Sequence, residues 1–146
     1  WLGSSEHRLV QPGHYNFDNT VDLGFDRGGM PRLYEKFMSN ILDRDLQDYV
    51  VPLPSDSNNA AHIFKGRGLE CGVLHLDGGH DYEAVSRDLR AWWGLISPGG
   101  ILIADDYHTN GVWPEVRQAV DELIDSVPNV SIEHFNGKAY IRKPTA

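Results

Sequence analysis

Cysteine occurs once in the 146 residues, at Cys71, so an internal disulfide is excluded and nothing requires an oxidising compartment. The cytoplasm is the expected location. Long apolar runs are also missing: no stretch approaches the roughly 20 apolar residues that cross a bilayer, and no signal-peptide pattern is present, so no membrane association is expected. Basic residues are few, with 13 Lys and Arg against 21 Asp and Glu and a formal charge of −8. Without clustered Lys and Arg a phosphate backbone has nothing to bind, and nucleic acid is not an expected partner. A Ser nucleophile elbow, a phosphate-cradling P-loop and a paired-Cys zinc signature are absent too, which disfavours those enzyme and zinc-module classes.

What is present is 40% hydrophobic residues with charge mixed along the chain, enough for one domain with a real core over residues 1–146. Residues 1–30 carry glycines, prolines and isolated aromatics without period and read as a loop or lid ahead of an α/β core at 31–146. The chain opens on Trp1, not Met, in a Gly/Ser turn, which suggests a fragment or a processed chain. Leu33, Phe37 and Ile41 recur at helical spacing behind Pro31 and predict a helix over 31–43. Tyr49 to Leu53 reads as a short strand, and Ser57 as the cap of a helix running to about Arg67.

Gly72 to Asp77 and Ile101 to Ala104 are near-continuous apolar runs, separated by a helix that begins at Asp81 and carries Val85, Leu89, Trp92 and Ile96 on one face. That alternation is typical of strands buried in a parallel sheet. Pro114 opens a further helix through Val127, and Asn136-Gly137 joins two final strand candidates in a two-residue hairpin. The expected fold is α/β: a Rossmann-like, mostly parallel sheet with helices on both faces and a C-terminal antiparallel hairpin.

In such sheets ligands sit beyond the carboxyl ends of the strands. Asp77 ends one strand and Asp105-Asp106 follow another, so Asp77, Asp105 and Asp106 are candidate ligands for Mg²⁺ or Mn²⁺, which take carboxylates while retaining waters. The competing reading is that these residues only cap helices and turns. His80, three residues after Asp77, lies at the same rim and could take a proton from a hydroxyl. His75 reads as a packed strand residue and His108 as a lesser pocket candidate. Asp56 and Ser57 end the Pro54-Ser55-Asp56-Ser57 segment at this rim, where a Ser or Asp could bond an adenine amino group and a Ser could equally only cap the helix; both roles can coexist, from Asp56 and Ser57 respectively.

The ordered set Asp77-Gly78-Gly79-His80-Asp81-Tyr82, Asp88-Leu89, Trp92-Trp93, Pro98-Gly99-Gly100 and Asp105-Asp106-Tyr107 resembles the core of the class I S-adenosylmethionine-dependent methyltransferases, in the group that includes macrocin-type sugar O-methyltransferases. The opening Trp1-Leu2-Gly3-Ser4 and Leu33-Tyr34-Glu35-Lys36-Phe37 resemble the same group, so the likeness covers nearly the whole chain. It implies S-adenosylmethionine as cofactor and a small-molecule hydroxyl as acceptor. By the same likeness Asp77, Asp105 and Asp106 match divalent-metal positions, His80 matches the base, and Asp56, Ser57 and Asp77 lie on the cofactor side. The family's first strand and Gly-rich loop have no counterpart here. The 146-residue chain is therefore expected to bind the cofactor weakly or not at all, and its uncovered sheet edge would favour a homo-oligomer. The rival expectation is a noncatalytic α/β binding domain derived from this fold; another enzyme on the same sheet, such as a nucleotide-sugar enzyme, fits the motifs less well.

Overall fold

A computed structural model describes residues 33–108, 110–111 and 113–145. The segment 1–30 expected as a loop or lid lies outside these residues. The chain, read from sequence as one domain, divides into two compact units, Trp1–Ser55 and Asp56–Ala146.

The described part of the first unit holds helix α1, Leu33–Leu42. Among its described side chains Ile41 is buried, as expected for one face of an amphipathic helix. A turn follows in which Asp43 N–H donates to Ser39 at 2.8 Å and Asp45 adopts a positive φ of 53°. The strand expected at Tyr49–Leu53 is not formed: these residues are irregular, and Tyr49 and Val51 are 83% and 89% exposed. A β-branched run becomes a strand only when a ladder partner takes its backbone groups, and Pro52 removes one donor from this run while Pro54 removes the next one beyond it.

The second unit begins with α2, Ser57–Gly66. Its N-cap is Asp56, whose carboxylate accepts from Asn58 N–H at 2.9 Å, and not Ser57 as the sequence suggested; the single-residue shift leaves the Ser57 hydroxyl for another role. Next come β1 (Cys71–Leu76), α3 (Tyr82–Trp92), a 3₁₀ turn (Trp93–Leu95), β2 (Ile96–Ala104), α4 (Pro114–Ser126), β3 (Ser131–Phe135) and β4 (Lys138–Arg142). The open sheet has the order β1-β2-β4-β3. β1 and β2 are parallel and joined by α3, as the βαβ reading required, while β2–β4 and β3–β4 are antiparallel. The parallel share is smaller than the sequence suggested, because 49–53 adds no strand and β4 returns beside β2.

Asn136 and Gly137 have φ of 50° and 73°, the two positive angles of the expected hairpin turn. β2 starts five residues earlier than its apolar run. Pro98-Gly99-Gly100, which reads as a breaker, is absorbed into the strand by an irregularity between Cys71 and Val73 and by Gly99 at φ +76°. Gly100 permits the close approach: a Cβ there would lie 2.8 Å from the Gly72 carbonyl oxygen and 2.7 Å from Ile96 Cγ2.

Strand alternation sorts the side chains. Leu74, Leu76, Leu102, Ala104, Ala139 and Ile141 face the helices, where they meet Val85 and Leu89 of α3 and Val116, Ala119 and Val120 of α4. Ala60 and Ala61 of α2 pack with Trp92 and Leu95 in a smaller cluster. Within this unit the helices thus cover one sheet face. The alternate positions, including Val73, His75 and Ile103, lie on the other face, and Val73 is 60% exposed. Both Asp77 and Asp105 leave their strands at the same end, which is where the chemistry collects.

Candidate functional site

The parallel register pairs Leu76 with Ala104, so the next residues, Asp77 and Asp105, leave the sheet side by side. Asp105 N–H donates to Leu76 C=O at 3.0 Å, which fixes the end of the ladder. Asp105 and Asp106 then point to different partners. Asp106 adopts a left-handed backbone with φ 55°, and its N–H donates to Asp105 Oδ1 at 2.9 Å. The Asp105 carboxylate meets His75 Nε2 at 3.1 Å and the Lys138 ammonium; Asp106 meets His80 Nε2 at 2.8 Å and His108 Nε2 at 3.4 Å.

Two sets of potential ligand atoms lie within 4.8 Å of one another, His75-Asp77-Asp105 and Asp77-His80-Asp106. Asp77 belongs to both. The residues named from sequence therefore converge on one rim, but the two acids after β2 serve different halves of it. Burial pushes the Asp105 carboxyl up, yet Lys138, the Asp106 N–H and His75 outweigh it and hold it below the usual carboxylate range. Asp105 in turn holds the Lys138 ammonium above its ordinary value.

His80 sits on the Asp77-Gly78-Gly79-His80 loop, its ring stacked on Trp113 at 4.3 Å between centroids and 25° between planes. Trp113 itself has a left-handed backbone, φ 48°, immediately before Pro114 opens α4. The cleft beside it is lined by Leu76, Val85 and Val116 below and by the acids and His80 above. His75, read from sequence as packed, is instead a rim residue with its side chain 46% exposed, because it lies on the face the helices leave open. His108 lines the same rim and fills the space over the hairpin; a Cβ on Gly137 would stand 2.6 Å from its Cε1.

Lys138 and the stacking role of Trp113 were not legible in sequence. Lys138 reaches Asp105 only because β4 pairs with β2 in the register Ala139–Ala104, a pairing that no local pattern specifies.

At the other side of the loop, Asp56 is engaged as the helix cap and Ser57 Oγ accepts from Trp92 Nε1 at 2.9 Å. Ser57 also hydrogen-bonds Asp88, which is buried on α3 and lies within 3.5 Å of Asn58 Nδ2. A Cβ on Gly78 would be 3.2 Å from Asp88 Oδ2, so this carboxyl bridges the start of α2 and the histidine loop. Burial raises the Asp88 carboxyl above its usual range, only partly offset by Ser57 and Arg87. An acid with a raised folded-state value contributes stability that is complete below its unfolded value and is lost as pH rises through the folded one. Asp88→Asn should therefore gain stability relative to the parent as pH is raised from acid to neutral; urea midpoints measured across that range check it, and a difference independent of pH would refute it.

The sequence profile of the methyltransferase domain matches residues 6–107, more than half of the chain. The chain belongs to that family. Among solved structures, this methyltransferase domain is similar to the O-methyltransferase NovP, with TM-score 0.58 and 19% identity over 99% of this chain and 57% of that one. It is likewise similar to an O-methyltransferase from Bacillus cereus solved in complex with SAH, with TM-score 0.58 and 17% identity over 72% and 55%. The calicheamicin methyltransferase CalS11 matches with TM-score 0.57 and 17% identity over 97% and 56%. At these identities the likeness shows the Rossmann-like fold. A curated relative, the uncharacterized protein R132 of Acanthamoeba polyphaga mimivirus, is 29% identical over 55 residues, 38% of this chain and 25% of that protein. The methyltransferase domain thus spans a quarter of that relative and little more than half of the solved chains. Among the described residues, no helix is long and apolar enough to cross a membrane.

Proposed function

We propose that this chain forms one methyltransferase domain that uses S-adenosylmethionine to methylate a hydroxyl of a small molecule, assisted by Mg²⁺ or Mn²⁺. The observation that carries the reading is the meeting, at one sheet rim, of strand-ending Asp77 and Asp105 with a histidine held 2.8 Å from Asp106. The donor set suits a hard divalent cation, since exposed or half-exposed carboxylates dominate it. Asp77, Asp105 and Asp106 would hold the ion, and when bound it would favour the ionised form of an acceptor hydroxyl. Asp56, Ser57 and Asp77 would lie on the cofactor side.

His80 takes the hydroxyl proton in this reading. Asp106 orients its imidazole and stabilises the imidazolium that results, while Trp113 holds the ring plane. S-adenosylmethionine would supply the methyl group that the acceptor oxygen takes, and the proton given up by that hydroxyl rests on His80. Val85 and Val116 keep the cleft floor apolar, which strengthens the electrostatics above it.

One observation favours the rival reading of a noncatalytic binding domain: the Asp105 carboxylate and the Asp56 and Ser57 side chains are already engaged within the protein. Release of S-adenosylhomocysteine separates the two, measured at millimolar S-adenosylmethionine with a panel of sugar and phenol acceptors. Turnover that EDTA suppresses by at least about tenfold and Mg²⁺ restores is expected. Turnover indifferent to EDTA would remove the metal, and no product with any acceptor, alongside no cofactor heat in calorimetry, would leave the noncatalytic domain.

A further inference from the structure

The ammonium of Lys138 lies on Asp105 Oδ2, the same oxygen that His75 Nε2 approaches at 3.1 Å. This is no loose surface pair. Asp105 is the first residue beyond β2, Lys138 is the first of β4, and the antiparallel register Ala104–Ala139 places them together. The Asn136-Gly137 turn just before Lys138 packs against His108, which holds the start of β4 at the rim. The Lys138 side chain is 31% exposed and that of Asp105 20%, so water screens the pair only in part. Asp77, common to both clusters of potential ligands, acts on the same ammonium through space.

We propose that Lys138 is a resident counter-cation of this rim, and that its ammonium and a divalent cation compete for Asp105. With Lys138 seated, one of the two carboxylate charges of the His75-Asp77-Asp105 set is offset from within; a divalent ion engages Asp105 only as Lys138 swings out, which its flexible stem allows. The inference rests on the reading that a divalent cation enters this rim, and it adds the residue that would set the affinity.

The test is calorimetric titration of Mn²⁺, without S-adenosylmethionine or acceptor, into the parent chain, Lys138→Met and Lys138→Gln. Both variants remove the charge, and thermal melts establish that each is folded. Affinity is expected to rise about tenfold or more in either variant, the size of one partly screened charge contact at close range. In the parent, Mg²⁺ should also shift the Lys138 side-chain NMR signals as the ammonium is displaced, a readout that needs no substitution. Parent-like Mn²⁺ affinity in a folded variant, or unmoved Lys138 signals at saturating Mg²⁺, would overturn the competition while leaving the metal reading intact. No Mn²⁺ binding to the parent or to either variant would overturn both.

Discussion

Asp77→Asn is expected to reduce methyl transfer by about 100-fold or more, and to weaken Mn²⁺ binding alongside it, because a cation with one ionised ligand fewer loses part of the charge stabilisation that makes it useful. The choice of Asp77 over its neighbours follows from geometry. Asp105 shares its carboxylate with Lys138 and His75, and Asp106 with His80 and His108, so either substitution also frees a partner with its own consequences. Asp77 alone belongs to both sets of potential ligands. It is exposed and lies one residue beyond β1, so an isosteric amide leaves the strand ladder and the core unchanged. Initial rates under saturating cofactor and a thermal melt check the two halves of the expectation. A rate within about threefold of the parent, in a folded variant, would mean that no cation at this rim serves the reaction.

His80→Ala is expected to lower the rate by about 10² to 10⁴, the usual contribution of a positioned general base, and to remove the rise of rate with pH that an imidazole base produces. The pH profile is the more informative readout. A structural role alone, through the stack on Trp113 and the contact to Asp106, would lower the rate by a similar factor at every pH and leave the profile's shape. His80→Gln keeps a hydrogen-bonding side chain near Asp106 but cannot carry the proton, so it should resemble the alanine variant in profile. If His80→Gln retains the parental pH dependence, the proton goes elsewhere, and His108, 3.4 Å from Asp106, becomes the next residue to change.

Much of the fold was legible because it is encoded locally. The helical spacing of Val116, Ala119 and Val120 behind Pro114 yields a helix that buries those three residues, and Asn136-Gly137 yields a turn with two positive φ angles. The apolar runs before Asp77 and Asp105 pair in parallel because the helix between them, marked by Val85 and Leu89, returns the chain to the same end of the sheet. Residues 49–53 show the limit of this kind of reading. Their composition is that of a strand, but a strand is a relation between two segments, and composition cannot supply the second one.

By itself, the sequence determined that an α/β sheet would end in acids at one rim, with His80 on the loop beside them, because strand ends and loop glycines are written in consecutive residues. Only the tertiary structure decided that Asp105 and Asp106 diverge, that His75 lies open and not packed, and that Lys138 comes to rest on Asp105 from 33 residues away. The physical reason is that side-chain electrostatics depends on distances of a few ångströms between elements. Those distances are set by register and by a single left-handed backbone angle, neither of which leaves a mark in the order of residues.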